Sequence, residues 1–443
     1  MRFLRQFLSH ARQPPARQYT KMASATGATA GLSMAAYACN VSPHQSSDKD
    51  LIPDARAHHV KNRNGETVKF QNPHPSHADP PIWGLMSLLL FVLPRPQSAD
   101  KAHTGLMNWP QPKIGEKLVP VVEPHFLPTR DSSSQLRATW LGHACYYVEF
   151  ASGLRVLFDP VFQDHCAPIK SQNYKRYTEP PCKISDLPFV DAVVISHSHY
   201  DHLSYPSVRE IQRNYPNAHF FVGLGLEKWF RQGGLQNVTE MDWWDEADVT
   251  FTPQAAKGDS AIDTTTSAAA AQPITARIIC LPSQHASGRT AFDKNHTLWA
   301  SWAVRSGSDA KTVWFAGDTG YRTVPKVAEG VDDYGPEYQH LPVCPQFRQI
   351  GERLGSIDLG LIPIGAYDPR HVFSPVHANP FDAVEMFRDS GCKRAMAIHW
   401  GTWALTPEDP LEPPKLLREA LRRRRMGETG VFDICDIGES REF

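Results

Sequence analysis

The run His197-Ser198-His199-Tyr200-Asp201-His202 places three imidazoles and a carboxylate within one turn of chain, directly after the apolar stretch Ala192-Val193-Val194-Ile195-Ser196. So many polar groups at the end of a buried strand cost free energy unless each finds a partner. A metal ion satisfies them together. His197 and His199, two residues apart, can aim at one ion, while Asp201 and His202 turn toward a second position nearby.

Other strand-like stretches deliver the remaining donors, because in layered α/β folds ligands project from the carboxyl ends of apolar strands. Ala276-Arg277-Ile278-Ile279-Cys280-Leu281-Pro282 ends near His285, Thr312-Val313-Trp314-Phe315-Ala316-Gly317 ends at Asp318, and Arg394-Ala395-Met396-Ala397-Ile398 ends at His399. This order assigns His197, His199 and His285 to the first ion and Asp201, His202 and His399 to the second, with Asp318 bridging. Two zinc ions suit an imidazole-rich site with carboxylate oxygens, and iron or manganese accepts the same donors. Two ions about 3.5–4 Å apart bring the pKa of a shared water toward neutrality and clamp an oxyanion. The expected chemistry is therefore hydrolytic rather than redox, with Asp201 and Asp318 as catalytic carboxylates. Asp159 closes Leu154-Arg155-Val156-Leu157-Phe158 and precedes Pro160, so it either orients a ligating imidazole or simply forms a turn.

The elements that position these groups begin at Leu136, where strand-like segments with turn punctuation start, giving a catalytic domain over 136–443. Thr252 to Gln272, with its Thr and Ala runs, and the Pro-bearing stretch Val331 to Pro345 read as loop insertions. Residues 54–135 form an N-terminal arm containing the apolar run Ile82 to Leu93. Twelve helical residues cover only about 18 Å against a hydrocarbon core of about 30 Å, so this run lies in a membrane interface or packs on the domain rather than spanning a bilayer. Residues 1–53 read as a disordered segment of mitochondrial presequence type: the first 47 carry Arg2, Arg5, Arg12, Arg17 and Lys21 and no acidic side chain. The competing reading is a plain basic tail. Lys and Arg total 46 against 47 Asp and Glu, a net charge of −1, which lacks the basic footprint of a nucleic-acid binder. Eight cysteines without C-x-x-C spacing point to a reducing compartment.

The histidine motif resembles the H-x-H-x-D-H signature of the metallo-β-lactamase superfamily. That resemblance implies an α/β fold, a four-layer αββα sandwich, here with an N-terminal extension. Longer strings narrow it. Thr139-Trp140-Leu141-Gly142-His143-Ala144, Asp242-Trp243-Trp244, Phe315-Ala316-Gly317-Asp318-Thr319-Gly320-Tyr321, Ile364-Gly365-Ala366-Tyr367-Asp368-Pro369-Arg370 and Ala397-Ile398-His399-Trp400-Gly401-Thr402 are similar to the N-acylphosphatidylethanolamine-hydrolysing phospholipase D family. The likeness runs from about residue 136 to 415.

The resemblance implies a zinc phosphodiesterase that releases N-acylethanolamine and phosphatidic acid through a metal-bridging hydroxide. It also implies a membrane phospholipid substrate, peripheral or interfacial membrane association and a homodimer. His377 matches a family histidine near the metals, as a phosphate contact or a proton donor to the leaving oxygen. Tyr205, Arg289 and Arg370 match positions that can contact the phosphate. Val376 and Ala286-Ser287-Gly288 depart from the family's polar, aromatic and basic residues, removing contacts to a lipid headgroup. With the presequence-like start, the expected location is mitochondrial, at the inner membrane. The alternative is another dinuclear hydrolase, a lactonase or soluble phosphodiesterase.

Overall fold

Stretches of Val, Ile, Phe and Trp with side chains buried on both faces need cover above and below, and that requirement sets the layering. The computed structural model describes residues 37–44, 55–79, 112, 118–130, 134–168, 170, 174–253, 272–290, 292–307, 310–328 and 330–443. In chain order its strands are β1 (Tyr37–Pro43), β2 (His59–Lys61), β3 (Thr67–Phe70), β4 (Arg137–Gly142), β5 (Cys145–Glu149) and β6 (Arg155–Phe158). Next come β7 (Ala192–Val194), β8 (His219–Gly223), β9 (Val238–Met241), β10 (Glu246–Pro253), β11 (Ile274–Leu281) and β12 (Ser301–Ser306). The last are β13 (Lys311–Phe315), β14 (Ile357–Pro363), β15 (Cys392–Ile398), β16 (Phe432–Asp433) and β17 (Ser440–Glu442). The helices are α1 (Tyr205–Asn214), α2 (Glu227–Gln232), α3 (Gln346–Leu354), α4 (Arg370–Phe373), α5 (Pro380–Ser390) and α6 (Glu412–Arg423).

Two sheets stack. One runs β1-β10-β11-β12-β13-β14-β15-β16 and the other β17-β4-β5-β6-β7-β8-β9, while β2 and β3 form a separate hairpin. β6, β7 and β8 are parallel neighbours in one sheet, and β13, β14 and β15 in the other. The donor-bearing loops of His197 to His202, Asp318 and His399 emerge at carboxyl ends of these parallel strands, and that of His285 at the carboxyl end of the antiparallel β11. Alternation fixes the layers: Ala192 and Val194 join the core that also holds Trp302, Trp314 and Phe315, while Val193 and Ile195 join a second core with Val208 and Ile211 of α1 and Phe230 of α2. On the other side Phe347 of α3, Val384 of α5 and Leu417 of α6 close the outer layer. The chain is thus the αββα sandwich expected.

The N-terminal part differs from the sequence reading. Tyr37–Pro43, placed in a disordered leader, pairs antiparallel along its whole length with β10, from Tyr37 opposite Pro253 to Pro43 opposite Ala247. Its short, Ala- and Ser-bearing sequence carries no strong strand pattern, because an edge strand needs only backbone pairing. The arm is also fastened to the domain. His58 and His59 reach the two oxygens of Asp242 at 2.7 and 2.8 Å, Arg56 also pairs with that carboxylate, and the His58 ring stacks on Trp243. The Asp242-Trp243-Trp244 string therefore holds the arm. Residues 82–93 and most of the 252–272 insertion lie outside the described residues, as do residues 1–36 and 45–54. The 331–345 stretch is a run of turns with a short 3₁₀ helix at Pro336–Tyr338. Among the described residues no helix is long and apolar enough to cross a membrane.

Candidate metal centre

Each donor leaves the sandwich at a strand end. His197 to His202 fill the turn between β7 and α1, whose start is fixed by Ser204 accepting from the backbone N–H of Ser207 and by Pro206 in the first turn. His285 follows β11, Asp318 follows β13, and His399 is the first residue past β15. Close backbone approach makes the convergence possible. Gly317, at φ +59°, brings the Asp318 loop so near Ser196 that an added Cβ would sit 2.7 Å from the Ser196 Cβ. At Gly365 a Cβ would lie 2.2 Å from the carbonyl oxygen of His399. Gly365→Ala is expected to displace His399 and to lower ion content well before it lowers helix or sheet content. Metal analysis beside circular dichroism checks this, and an ion content equal to that of the native chain would contradict it.

Two donor groups result. Nitrogens of His197, His199 and His285 meet in one, and those of His143, His202 and His399 meet an oxygen of Asp201 in the other. Asp318 lies between them: its Oδ2 is 3.1 Å from His202 Nε2, 3.7 Å from His285 Nε2 and 3.9 Å from His197 Nε2, while its Oδ1 is 3.1 Å from His399 Nε2. The seven residues read from the sequence are therefore brought together.

The hydrogen bonds around the cluster fix which nitrogens offer lone pairs. The Ser196 hydroxyl donates to Asp159 Oδ2 at 2.5 Å, so at 2.9 Å it accepts from His197 Nδ1–H. His202 Nδ1–H donates to Asp159 Oδ2 at 2.7 Å, and His285 Nδ1–H to the Val376 carbonyl at 2.8 Å. The Nε2 atoms of all three rings consequently face inward, as lone pairs on His197 and His285 and, once its second proton leaves, on His202. Two of them crowd His199 Nδ1, at 2.8 Å from His197 and 3.2 Å from His285. Asp318 Oδ1 and the Nε2 atoms of His202 and His399 are buried and close to one another, yet none makes an aligned hydrogen bond. Inward lone pairs, misaligned contacts and two carboxylates are the donor set of divalent cations, and the residues fit such ions. Asp159 also accepts from the Ser196 backbone N–H at 2.7 Å. It thus orients two imidazoles from behind, and the plain-turn alternative falls away.

Electrostatics agree. Burial alone would raise the Asp318 and Asp201 pKa values, but neighbouring imidazoles, His202 foremost, outweigh it and hold both carboxyls well below the usual range. In return, although burial pulls it down, His399 is pushed up to about 9 by Asp318 and Asp201, and His202 is also raised. His197 and His285 go the other way, lowered chiefly by burial. Without an ion the Asp201–His202–His399 group therefore carries protons at neutral pH and the His197–His199–His285 group does not. Raised imidazoles stabilise the ion-free fold below their unfolded value near 6.5, and that contribution is lost as pH climbs through about 9. Since ligands must be deprotonated, affinity at the second group should rise with pH up to about 9 while that of the first stays nearly flat above neutrality. Zinc titrations at several pH values check this; equal slopes would contradict it.

Not every expected residue reaches the centre. His377 does, its ring 5.1 Å from that of His285 and 5.4 Å from that of His399. Its Nδ1 is buried without a partner. Burial, above all, lowers its pKa to about 4, so at neutral pH it serves as a neutral hydrogen-bonding group rather than a charged acid. Arg289 instead spans the histidine turn from outside: its Nη1 donates to the carbonyls of Ser198 and Leu203, both at 2.8 Å, and its guanidinium lies over the Tyr200 ring. Arg370 is paired with Asp333 and Asp382, and Tyr205 packs edge-on to Trp229. Both arginines thus find partners within the fold.

His143 was missed as a candidate. Its Nε2 is 3.1 Å from Asp201 Oδ2 and its ring 4.1 Å from that of His399. The signal was present, since His143 follows directly on the end of β4. Beside it and His399 opens a cavity walled by Tyr177, Ala366, Trp400, Trp403 and Leu405.

A family model described as beta-lactamase superfamily domain matches residues 154–400. N-acyl-phosphatidylethanolamine-hydrolyzing phospholipase D 1 of Caenorhabditis elegans is 33% identical over 364 residues, covering 80% of this chain and 87% of the relative. An uncharacterized protein of Mycobacterium tuberculosis is 34% identical over 307 residues, 68% of each chain. The mitochondrial N-acyl-phosphatidylethanolamine-hydrolyzing phospholipase D of Saccharomyces cerevisiae is 30% identical over 280 residues, 63% of this chain and 50% of the relative. Fold and donor set together define a metal-dependent hydrolase of the β-lactamase superfamily. Within that class the chain belongs to the N-acylphosphatidylethanolamine-hydrolysing phospholipase D family.

Proposed function

We propose that the protein is a zinc-dependent phosphodiesterase of phospholipase D type, converting N-acylphosphatidylethanolamine to N-acylethanolamine and phosphatidic acid. The observation that carries the reading is the pair of donor groups joined through Asp318. A bound pair of ions would supply an activated water and charge neutralisation for a phosphodiester. His197, His199 and His285 would hold one ion and Asp201, His202 and His399 the other, with Asp318 shared. Asp201 and Asp318, anionic at neutral pH, balance that charge and set the face from which water approaches. The unpartnered Nδ1 of His377 offers a hydrogen bond to a phosphoryl or leaving oxygen at the same place.

One feature of the structure supports a lipid substrate. Phe292 stands 76% exposed on the loop after His285, an arrangement suited to contact with a bilayer. The name of the yeast relative supports a mitochondrial location, and peripheral membrane attachment and a homodimer are proposed on the family resemblance. The test is turnover by purified protein of N-acylphosphatidylethanolamine in vesicles, set against soluble phosphodiesters and lactones. Release of N-acylethanolamine with zinc present is expected, and exclusive turnover of the soluble compounds would defeat the lipid reading.

A further inference from the structure

Gln284, directly before His285, is 2% exposed and uses every polar group it has. Its Nε2 donates to the carbonyls of Ser76 and Pro375 at 3.3 and 2.9 Å, and its Oε1 accepts from Ser76 Oγ at 2.6 Å. Its backbone N–H donates to Thr319 Oγ1 at 2.8 Å, and its carbonyl accepts from the Gly320 N–H at 2.7 Å. One amide thus ties together the loops that carry His285, Asp318 and His377. The fourth party is the N-terminal arm, which lies outside residues 154–400 matched by the superfamily model.

That arm touches the centre at a second point. Asn72 Nδ2 donates to the carbonyl of His285 at 2.8 Å. The same stretch is anchored further along, where Thr323 N–H and Oγ1 both donate to the Ser76 carbonyl at 2.8 Å and Ala78 N–H donates to Thr323 Oγ1 at 2.9 Å. Upstream, Phe70 N–H donates to the Asn295 carbonyl at 2.8 Å, and the clasp of His58 and His59 on Asp242 fixes the hairpin. The loop from Pro282 to Thr290 joins no strand of its own, so its backbone rests where hydrogen bonds hold it: those between Trp299 and Ser283, Thr297 and Ser287, and Ser198 and Gly288 on one side, and the arm's bonds around Gln284 and His285 on the other.

We propose that Asn72 and Ser76 are positioning residues that hold His285 in register with His197 and His199, so that the arm completes the metal centre of the catalytic domain. The inference rests on the metal-site reading, and it is independent of which substrate is cleaved. His285 presents Nε2 inward only while its Nδ1–H meets the Val376 carbonyl, and that pairing requires the backbones at 285 and 376 to stay together. Gln284 bridges them, and Ser76 and Asn72 hold Gln284 and the His285 carbonyl in place. Loss of such supporting hydrogen bonds typically weakens metal affinity by about 10–100-fold.

The experiment uses the full chain stripped of metal, titrated with zinc against a chromophoric chelator, with cobalt(II) absorption as the second readout. Asn72→Leu and Ser76→Ala are each expected to weaken one of the two zinc affinities by about 10–100-fold and to change the cobalt spectrum. The melting temperature of the ion-free protein should fall by no more than a few degrees, as expected for one buried hydrogen bond lost. Native affinities with a native cobalt spectrum would overturn the proposal. So would equal weakening of both ions together with a far larger fall in melting temperature, because that pattern describes a damaged fold. If Asn72→Leu does not fold, Ser76→Ala, which deletes one oxygen, decides alone. A native chain that binds neither metal overturns the proposal together with the metal centre, whereas failure of the lipid assay alone leaves it standing.

Discussion

Asp318→Asn is expected to reduce kcat/KM by at least roughly a thousandfold, about 4 kcal/mol, and to remove at least one ion from the purified protein. The carboxylate is buried, and its two oxygens approach His202 and His399 at 3.1 Å each and two more imidazoles within 4 Å. Asn keeps the shape but removes the charge, and its amide turns two hydrogens toward inward-facing lone pairs. A cation held between the groups would lose its shared anion, while the imidazoles of His202 and His399 would lose the partner that keeps them protonated when no ion is bound. Steady-state kinetics with elemental analysis of the same sample make the check. A variant with native metal content and activity within tenfold would remove Asp318 from its bridging place.

Asp159→Ala should be the most damaging single change to the fold at this end of the sandwich. Asp159 accepts from the Ser196 N–H, the Ser196 hydroxyl and His202 Nδ1–H, all fully buried. Removing it strands three donors, at a cost of about 3–5 kcal/mol. It also frees the His202 ring to adopt the other tautomer and lets His197 lose its orientation through Ser196, so metal affinity should fall by about 10–100-fold. Urea unfolding and zinc titration measure the two effects separately. A variant that loses stability with unchanged zinc affinity would show that the His202 ring is set by something other than this carboxylate. Asp159 itself sits at φ +37°, a region a non-glycine residue occupies only when its surroundings insist.

How much of this was legible in the chain follows from what each residue answers to. His197, His199, Asp201, His202, His285, Asp318 and His399 answer to strand ends, and strands of Val, Ile and Trp are visible as apolar runs. The sandwich was readable for the same reason, since buried parallel strands advertise themselves. The roles of Arg289 and Arg370 were not legible, because a buried cation looks identical in sequence whether its anion is a substrate phosphate or Asp382. His143 was legible by the same rule, since it directly follows the end of β4, although that strand lies outside the H-x-H-x-D-H run. Asn72 and Gln284 carried no signal at all: a hydrogen bond spanning more than two hundred residues has no periodicity to betray it. The edge strand Tyr37–Pro43 hid for the same reason, its partners lying in β10 rather than in its own composition.

That edge strand sets a boundary for any handling of the amino terminus. Proteolytic maturation, a fusion tag or a truncation that stops short of Tyr37 leaves β1 as the margin of its sheet. A cut just after Pro43 would move that margin inward and uncover the backbone of the longer β10 from Ala247 to Pro253, presenting a new template for another chain. A preparation shortened there that precipitates would be reporting a stripped sheet margin rather than a fault in the metal centre.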